Sequence, residues 1–290
     1  DRIQANTSLT HYAEDFLGGD HDFKFGAEFE YGKVRSRFGY TGQNNMYYVD
    51  YTGYGYTGNY LAYQYAGYDM NTRYKRLEGF AQDSWKISDR LNISLGGRLT
   101  KGWGTIKDVS GVVYSPFRAA PRLGFTFDIF GDKTTIFKAH YGQYTEAMLS
   151  STHDRLNPAS AYTDYVSLYW DLWDNDWVEY NRVVHENLYT FDANIKHPYM
   201  DQITVGIERE LFKDASFSAT FIYRNWKNII GRIDTLAQYS PIDVFVEDLN
   251  KSFTIYERDN PNEHAYVLKN IEKGDPWINT DPYRKYVGLE

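Results

Sequence analysis

The stretch "LNISLGGRLT" at positions 91–100 puts Leu91, Ile93, Leu95 and Leu99 on alternate positions, with Asn92, Ser94, Arg98 and Thr100 between them. A period of two belongs to a strand with one apolar and one polar face. The pattern returns in "HDFKFGAEFEYG", where Phe23, Phe25, Ala27, Phe29 and Tyr31 alternate with Asp22, Lys24, Gly26, Glu28 and Glu30. Phe125, Phe127 and Ile129 oppose Arg122, Thr126 and Asp128. Phe217, Ala219, Phe221 and Tyr223 oppose Ser216, Ser218, Thr220 and Arg224. These runs predict four hairpins, turning at Gly18–Asp20, Ser88–Arg90, Gly131–Lys133 and Lys213–Asp214. Each turn holds Gly, Asp or Ser, which tolerate tight hairpin geometry.

Between the hairpins, residues 32–73, 101–117, 145–198 and 231–282 are long and mostly non-alternating. Structureless loops above roughly 12–15 residues are uncommon in a compact soluble domain. Short turn and long loop therefore take turns along the whole chain, as in outer-membrane barrels with short periplasmic turns and long extracellular loops. A one-sided soluble sheet needs a second layer over its apolar face, and no amphipathic helix is present to supply it. The prediction is an all-β fold: about nine strands of an antiparallel transmembrane β-barrel, with the leucines facing lipid. The last strand is "YRKYVGLE", which alternates up to Glu290, and the chain also opens inside a strand. Single-chain bacterial barrels have an even strand number, so residues 1–290 are expected to be part of one larger barrel domain.

Composition narrows this only a little. The 290 residues include 28 Tyr, 17 Phe and 7 Trp, side chains that suit a pleated surface. A net charge of -8 without a basic run argues against nucleic acid as a partner. The absence of cysteine excludes disulfides and thiolate metal sites but leaves the compartment open. No apolar run reaches the roughly 18 residues of a membrane helix, and "DRIQANTSLTHY" is no signal peptide.

Three segments, "GFAQDSWKISDRLNISLGGRLT", "AAPRLGFTFDIFGDKTTIFKAHYGQY" and "MDQITVGIERELFKDASFSATFIYRNWKNII", resemble consecutive barrel hairpins of TonB-dependent receptors, closest to the Oar-like group. The resemblance covers the strands and hardly touches the long loops. It implies a plugged barrel of about 22 strands in the outer membrane, which captures a ligand at the cell surface and imports it with energy from the TonB complex. The implied partners are outer-membrane lipid, the TonB complex acting through a plug region, and an extracellular ligand or surface protein. The plug, the TonB-interaction segment and the final aromatic-ended strand are expected to lie outside residues 1–290.

Candidate sites follow from the loops and the polar face. "GYGYTG" at Gly53–Gly58 fits G-x-G-x-x-G, but no helix follows, so a surface loop explains it better than a nucleotide site. In "YWDLWDNDWVEY", Trp170, Trp173 and Trp177 interleave with Asp171, Asp174 and Asp176; the first expectation is a loop that packs its own aromatics against neighbouring loops, with ligand contact and then a calcium site as the alternatives. The EF-hand spacing is absent and the histidines are scattered, so neither a metal site nor a cofactor is expected. Lys24, Glu28, Glu30, Arg98, Arg122, Asp128, Lys138, Glu208 and Arg224 fall on the polar positions and would line the lumen as mixed-sign ladders. Trp85, Trp103, Tyr141, Tyr144, Tyr223 and Trp226, near strand ends, read as interfacial girdles. No G-x-S-x-G elbow, H-E-x-x-H motif or cysteine nucleophile is present, so no catalytic residues are assigned. Two further readings remain: a non-transporting barrel that scaffolds a surface assembly through its loops, and a soluble carbohydrate-binding β-protein.

Overall fold

The computed structural model describes residues 1–41, 43–50, 60–65, 67–107, 109–148, 153–154, 156–157, 165–183, 189–275, 278 and 281–290. The Gly53–Gly58 segment lies outside them. The chain opens with the hairpin of β1 (Arg2–Phe16) and β2 (Gly19–Phe38). Its turn is closed by Leu17 and Gly18, both in the left-handed region at φ 46° and 83°. An excursion containing β3 (Met46–Asp50) and β4 (Tyr60–Tyr65) leads to β5 (Tyr68–Lys86), which pairs with β2 from Asp20↔Lys86 to Phe38↔Tyr68. Then come β6 (Leu91–Ile106), β7 (Phe117–Asp128) and β8 (Thr135–Thr145). A second long excursion carries β9 (Tyr165–Asp171), β10 (Asp176–Val183) and β11 (Tyr189–Phe191) before the hairpin of β12 (Tyr199–Phe212) and β13 (Ala215–Lys227). The last excursion carries β14 (Ile230–Asp234), β15 (Tyr239–Val246), β16 (Lys251–Arg258) and β17 (Tyr266–Asn270), and returns as β18 (Arg284–Leu289).

One 9-stranded antiparallel sheet in the order β1-β2-β5-β6-β7-β8-β12-β13-β18 forms the wall, with β1 and β18 at its open edges. Outside the bulged turns Phe16↔Gly19 and Phe212↔Ala215, every pairing in this sheet joins two even-numbered or two odd-numbered residues. All even positions therefore share one face and all odd positions the other, from the first strand to the last. The odd face holds Ile3, Leu9, Phe25, Phe29, Leu77, Leu95, Leu99, Leu123, Phe125, Ile203, Ile207, Phe217, Phe221 and Val287, all exposed. Among the described residues no second layer covers them. β2 has 20 residues and β5 has 19, about twice the 9–11 tilted residues that cross a bilayer. The wall is thus well taller than one bilayer at the end where the excursions leave it.

The long excursions are not the irregular loops that the sequence suggests. They form three smaller sheets, β10-β9-β4-β3, β11-β17-β14 and β15-β16. The β4–β9 pairing, Leu61↔Tyr169 to Tyr65↔Tyr165, ties the excursion after β2 to the one after β8. The parallel β11–β17 pairing ties the latter to the excursion after β13. Met46, Ala62 and Leu168 form a buried cluster in the four-stranded sheet, flanked by Val166 and Trp177. Aromatics hide these strands from a period-two reading. In "MYYVD" and "YLAYQY", tyrosine occupies both parities.

Candidate functional site

The even face carries a charge ladder across the first four strands of the wall. Register sets Gln4 opposite Glu30, Glu30 opposite Arg76, Glu28 opposite Glu78, and Glu78 opposite Thr100. Arg2 Nε lies 2.6 Å from Glu30. The Arg76 guanidinium reaches Glu30 at 2.6 Å and Glu28 at 3.3 Å. Arg98 pairs with Glu78, which also accepts from Thr100 Oγ1 at 3.2 Å. Tyr74 donates its hydroxyl to Glu30 at 2.8 Å, and Gln4 donates to Glu28 at 2.8 Å. Glu30 and Glu78 are buried, and a buried carboxylate persists only when paired and hydrogen-bonded.

All nine residues read as a polar ladder lie on this face. Lys138 pairs with Glu208 at 2.7 Å. The Arg122 guanidinium sits 4.7 Å over the Tyr144 ring. Arg224 donates to Gln202 at 3.0 Å and lies 5.5 Å over Tyr286. Lys24 sits opposite Gln82. Asp128 differs: its two oxygens accept the backbone N–H groups of Gly131 and Lys133, each at 2.9 Å, so it closes the β7–β8 turn. Arg76 and Glu78, central to the ladder, escaped the sequence reading, although both hold even positions around Leu77 in "KRLEG". Of the aromatics read as girdle, Trp85, Trp103, Tyr141 and Tyr223 fall on the odd face, whereas Tyr144 and Trp226 share the even one. The odd face also holds Asp83, whose carboxylate meets His21 Nδ1 at 2.8 Å. That imidazole is stacked between Phe23 and Trp85, so rings cover the polar pair.

The Trp-rich stretch is a hairpin rather than a loop. Trp170 and Trp177 oppose each other across β9 and β10 and meet edge to face at 5.3 Å. Trp177 also contacts Tyr48 at 5.6 Å. Trp173 sits at the tip, 96% exposed. The carboxylates do not converge on a common point. Asp171 accepts the N–H groups of Trp173 at 2.7 Å and Asp174 at 3.2 Å, and Asp176 accepts that of Trp177 at 2.7 Å. Among the described residues no group of acidic and imidazole side chains is placed to hold a metal ion.

The excursion after β13 is fastened at Asp234. Its carboxylate accepts from Arg258 at 2.9 Å, His264 Nδ1 at 2.8 Å and the Ala265 N–H at 3.0 Å. Burial works against the charge. The Ala265 N–H, His264, Arg258 and the Leu236 N–H outweigh it and hold this carboxyl well below the usual range.

The family model described as TonB-dependent receptor-like, β-barrel, matches residues 2–274. No curated protein matches the chain. Similar solved structures include the outer-membrane transporter YddB from Escherichia coli, 16% identical with a TM-score of 0.47, covering 89% of this chain and 28% of that one. The siderophore receptor PirA from Acinetobacter baumannii is 10% identical with a TM-score of 0.42, over 99% of this chain and 41% of that one. A mutant of the ferric enterobactin receptor PfeA from Pseudomonas aeruginosa, in complex with enterobactin, is 14% identical with a TM-score of 0.40, over 99% and 41%. The chain therefore spans less than half the length of each. An open sheet with one exposed apolar face, short turns at one end, long excursions at the other and a family match over nearly all residues lead to one assignment: the chain belongs to the TonB-dependent receptor β-barrel family of the bacterial outer membrane.

Proposed function

We propose that residues 1–290 form part of the wall and extracellular loops of a receptor that captures a ligand at the cell surface and imports it with energy from the TonB complex. The observation behind this reading is the division of the wall into two faces. The exposed odd face faces lipid, and the even face lines a water-filled lumen, where Lys24, Glu28, Glu30, Arg98, Arg122, Lys138, Glu208 and Arg224 hydrate the wall and contact a plug. The interlocked excursions form the outer mouth, and Trp173 with its neighbours Trp170, Trp177, Asp171, Asp174 and Asp176 is the first surface a ligand meets. In the native host, deleting either the full-length receptor gene or the TonB gene is expected to leave the same solute unconsumed in the growth medium. If the receptor deletion spares every TonB-dependent solute, import fails and the scaffold reading takes its place.

A further inference from the structure

The odd face changes character at one height. On β2 it is apolar over the nine residues Phe23–Tyr31, and on β6 over the nine residues Leu91–Leu99. That is the length of a tilted strand crossing hydrocarbon. The next odd positions are Lys33 on β2 and Lys101 on β6; on β5, past Leu77, they are Lys75 and Arg73. Register sets these changes side by side. Phe29 pairs with Leu77 and Leu77 with Lys101; Tyr31 pairs with Lys75 and Lys75 with Trp103; Lys33 pairs with Arg73. Lys75 thus stands between two aromatic residues at the edge of the apolar band, on the side from which the excursions leave.

Here the odd face is hollowed into a cavity of about 660 Å³, lined by Phe29, Tyr31, Arg73, Lys75, Leu77 and Trp103. Arg73 and Lys75 are exposed. Among the described residues neither side chain enters an ion pair. Farther along β5, Asp69 is already held by Arg35 at 2.7 Å and approached by Arg37 at 3.7 Å. At the end of β13, Lys227 pairs with Asp201 at 2.8 Å. In those places charge is balanced within the chain; in the cavity it is not. Lys33 directly opposite Arg73 even sets two like charges across a strand pair, which is unfavourable by itself.

We infer that this cavity binds a phosphate-bearing lipid of the outer leaflet, with the phosphate on Arg73 and Lys75 and an acyl chain along Phe29 and Leu77. A guanidinium offers a phosphate two parallel N–H donors, and the ammonium adds a point charge. Basic side chains at a membrane surface attract anionic headgroups, and Tyr and Trp settle at the same depth. The apolar half of the cavity favours a lipid over a free anion, which would leave Phe29, Leu77 and Trp103 uncovered. The site rests on the odd face meeting lipid, as the proposed function has it, and needs neither import nor TonB.

The test uses the full-length receptor, stripped of bound lipid in detergent micelles and titrated by native mass spectrometry. The probe is lipid A carrying both phosphates; the control is the same lipid after phosphatase treatment. Lipid A is expected to stay bound where the dephosphorylated lipid leaves, and excess inorganic phosphate should not displace it. The double variant Arg73→Gln, Lys75→Gln is expected to weaken lipid A binding by about tenfold or more. Lys285→Gln, on the edge strand β18 of the same face, should leave it unchanged. Heat-modifiable mobility on gels checks that each variant is a folded barrel. Equal retention of both lipids, or undiminished binding by the double variant, overturns the site and leaves the lipid-facing wall standing. Displacement by inorganic phosphate overturns it in favour of a free anion. Retention of neither lipid also overturns it, and the stability of Leu95→Arg then tells whether the odd face meets lipid at all.

Discussion

The β5–β6 hairpin of the wall and the β9–β10 hairpin of the excursions are both antiparallel ladders, yet they treat their apolar residues oppositely. In the first, Leu77, Leu95 and Leu99 stay 49%, 42% and 52% exposed. In the second, Leu168 is buried with Met46 and Ala62, and Trp177 packs against them. The solvent accounts for the difference. Apolar surface in water is unfavourable by roughly 25 cal/mol per Å², so a hairpin outside the membrane must find a neighbour, and β9 finds β4. Lipid sets no such requirement. What the wall must satisfy instead is its backbone and its charged face, through pairing and the Arg–Glu ladder.

The sharpest way to break this comparison is to attack the ladder. Glu78→Ala leaves Arg98 and Arg76 facing each other without their shared anion, and it is expected to cost about 3–5 kcal/mol in urea unfolding of the full-length receptor in detergent. A cost near zero would mean that the polar face is merely solvated. Next comes the contrast between faces. Leu95→Arg should lose about 2–4 kcal/mol if the odd face sits in lipid, whereas Ser94→Arg, one residue away, should stay within about 0.5 kcal/mol. Equal losses would abolish the distinction. Leu168→Ala should cost roughly 2–3 kcal/mol within the excursions alone. Protease should nick β3, β4, β9 and β10 faster while the wall unfolds at an unchanged urea concentration.

The smallest effect belongs to acid. Because Asp234 has its carboxyl held below its unfolded value, its stabilisation of the β14–β17 excursion is full above about pH 4. It fades as pH falls towards the depressed folded value. Pepsin nicking of this excursion should therefore rise only in strong acid, and Asp234→Asn should make it independent of pH over that range. Nicking that rises already near neutrality would show that another group fastens the excursion.

The wall was legible because parity and environment coincide there. Phe23 to Tyr31 and Leu91 to Leu99 each keep one chemistry per face, and a turn residue marks every reversal. Ladder members flanked by such runs follow from the same count, and Arg76 and Glu78 were reachable by it. The excursions defeat this reading for a physical reason. Tyr47, Tyr48, Tyr63 and Tyr65 have amphipathic rings that suit either face, so their strands show no period. Pairings such as Leu61↔Tyr169 join residues far apart in sequence, and nothing local announces them. The burial of His197 is of this second kind. Its ring packs against Gly102 on β6, and the lone His–Pro dipeptide of the sequence carries no trace of it.

The shared parity of the wall also governs how such a chain can change. A single residue inserted or deleted inside a strand would exchange the two faces from that point to the next turn, sending arginine to the apolar face and leucine to the charged one. Changes of length inside the strands can survive only in pairs or as bulges, whereas the excursions can lengthen by any amount. Drift in length should therefore accumulate in the excursions rather than in the wall.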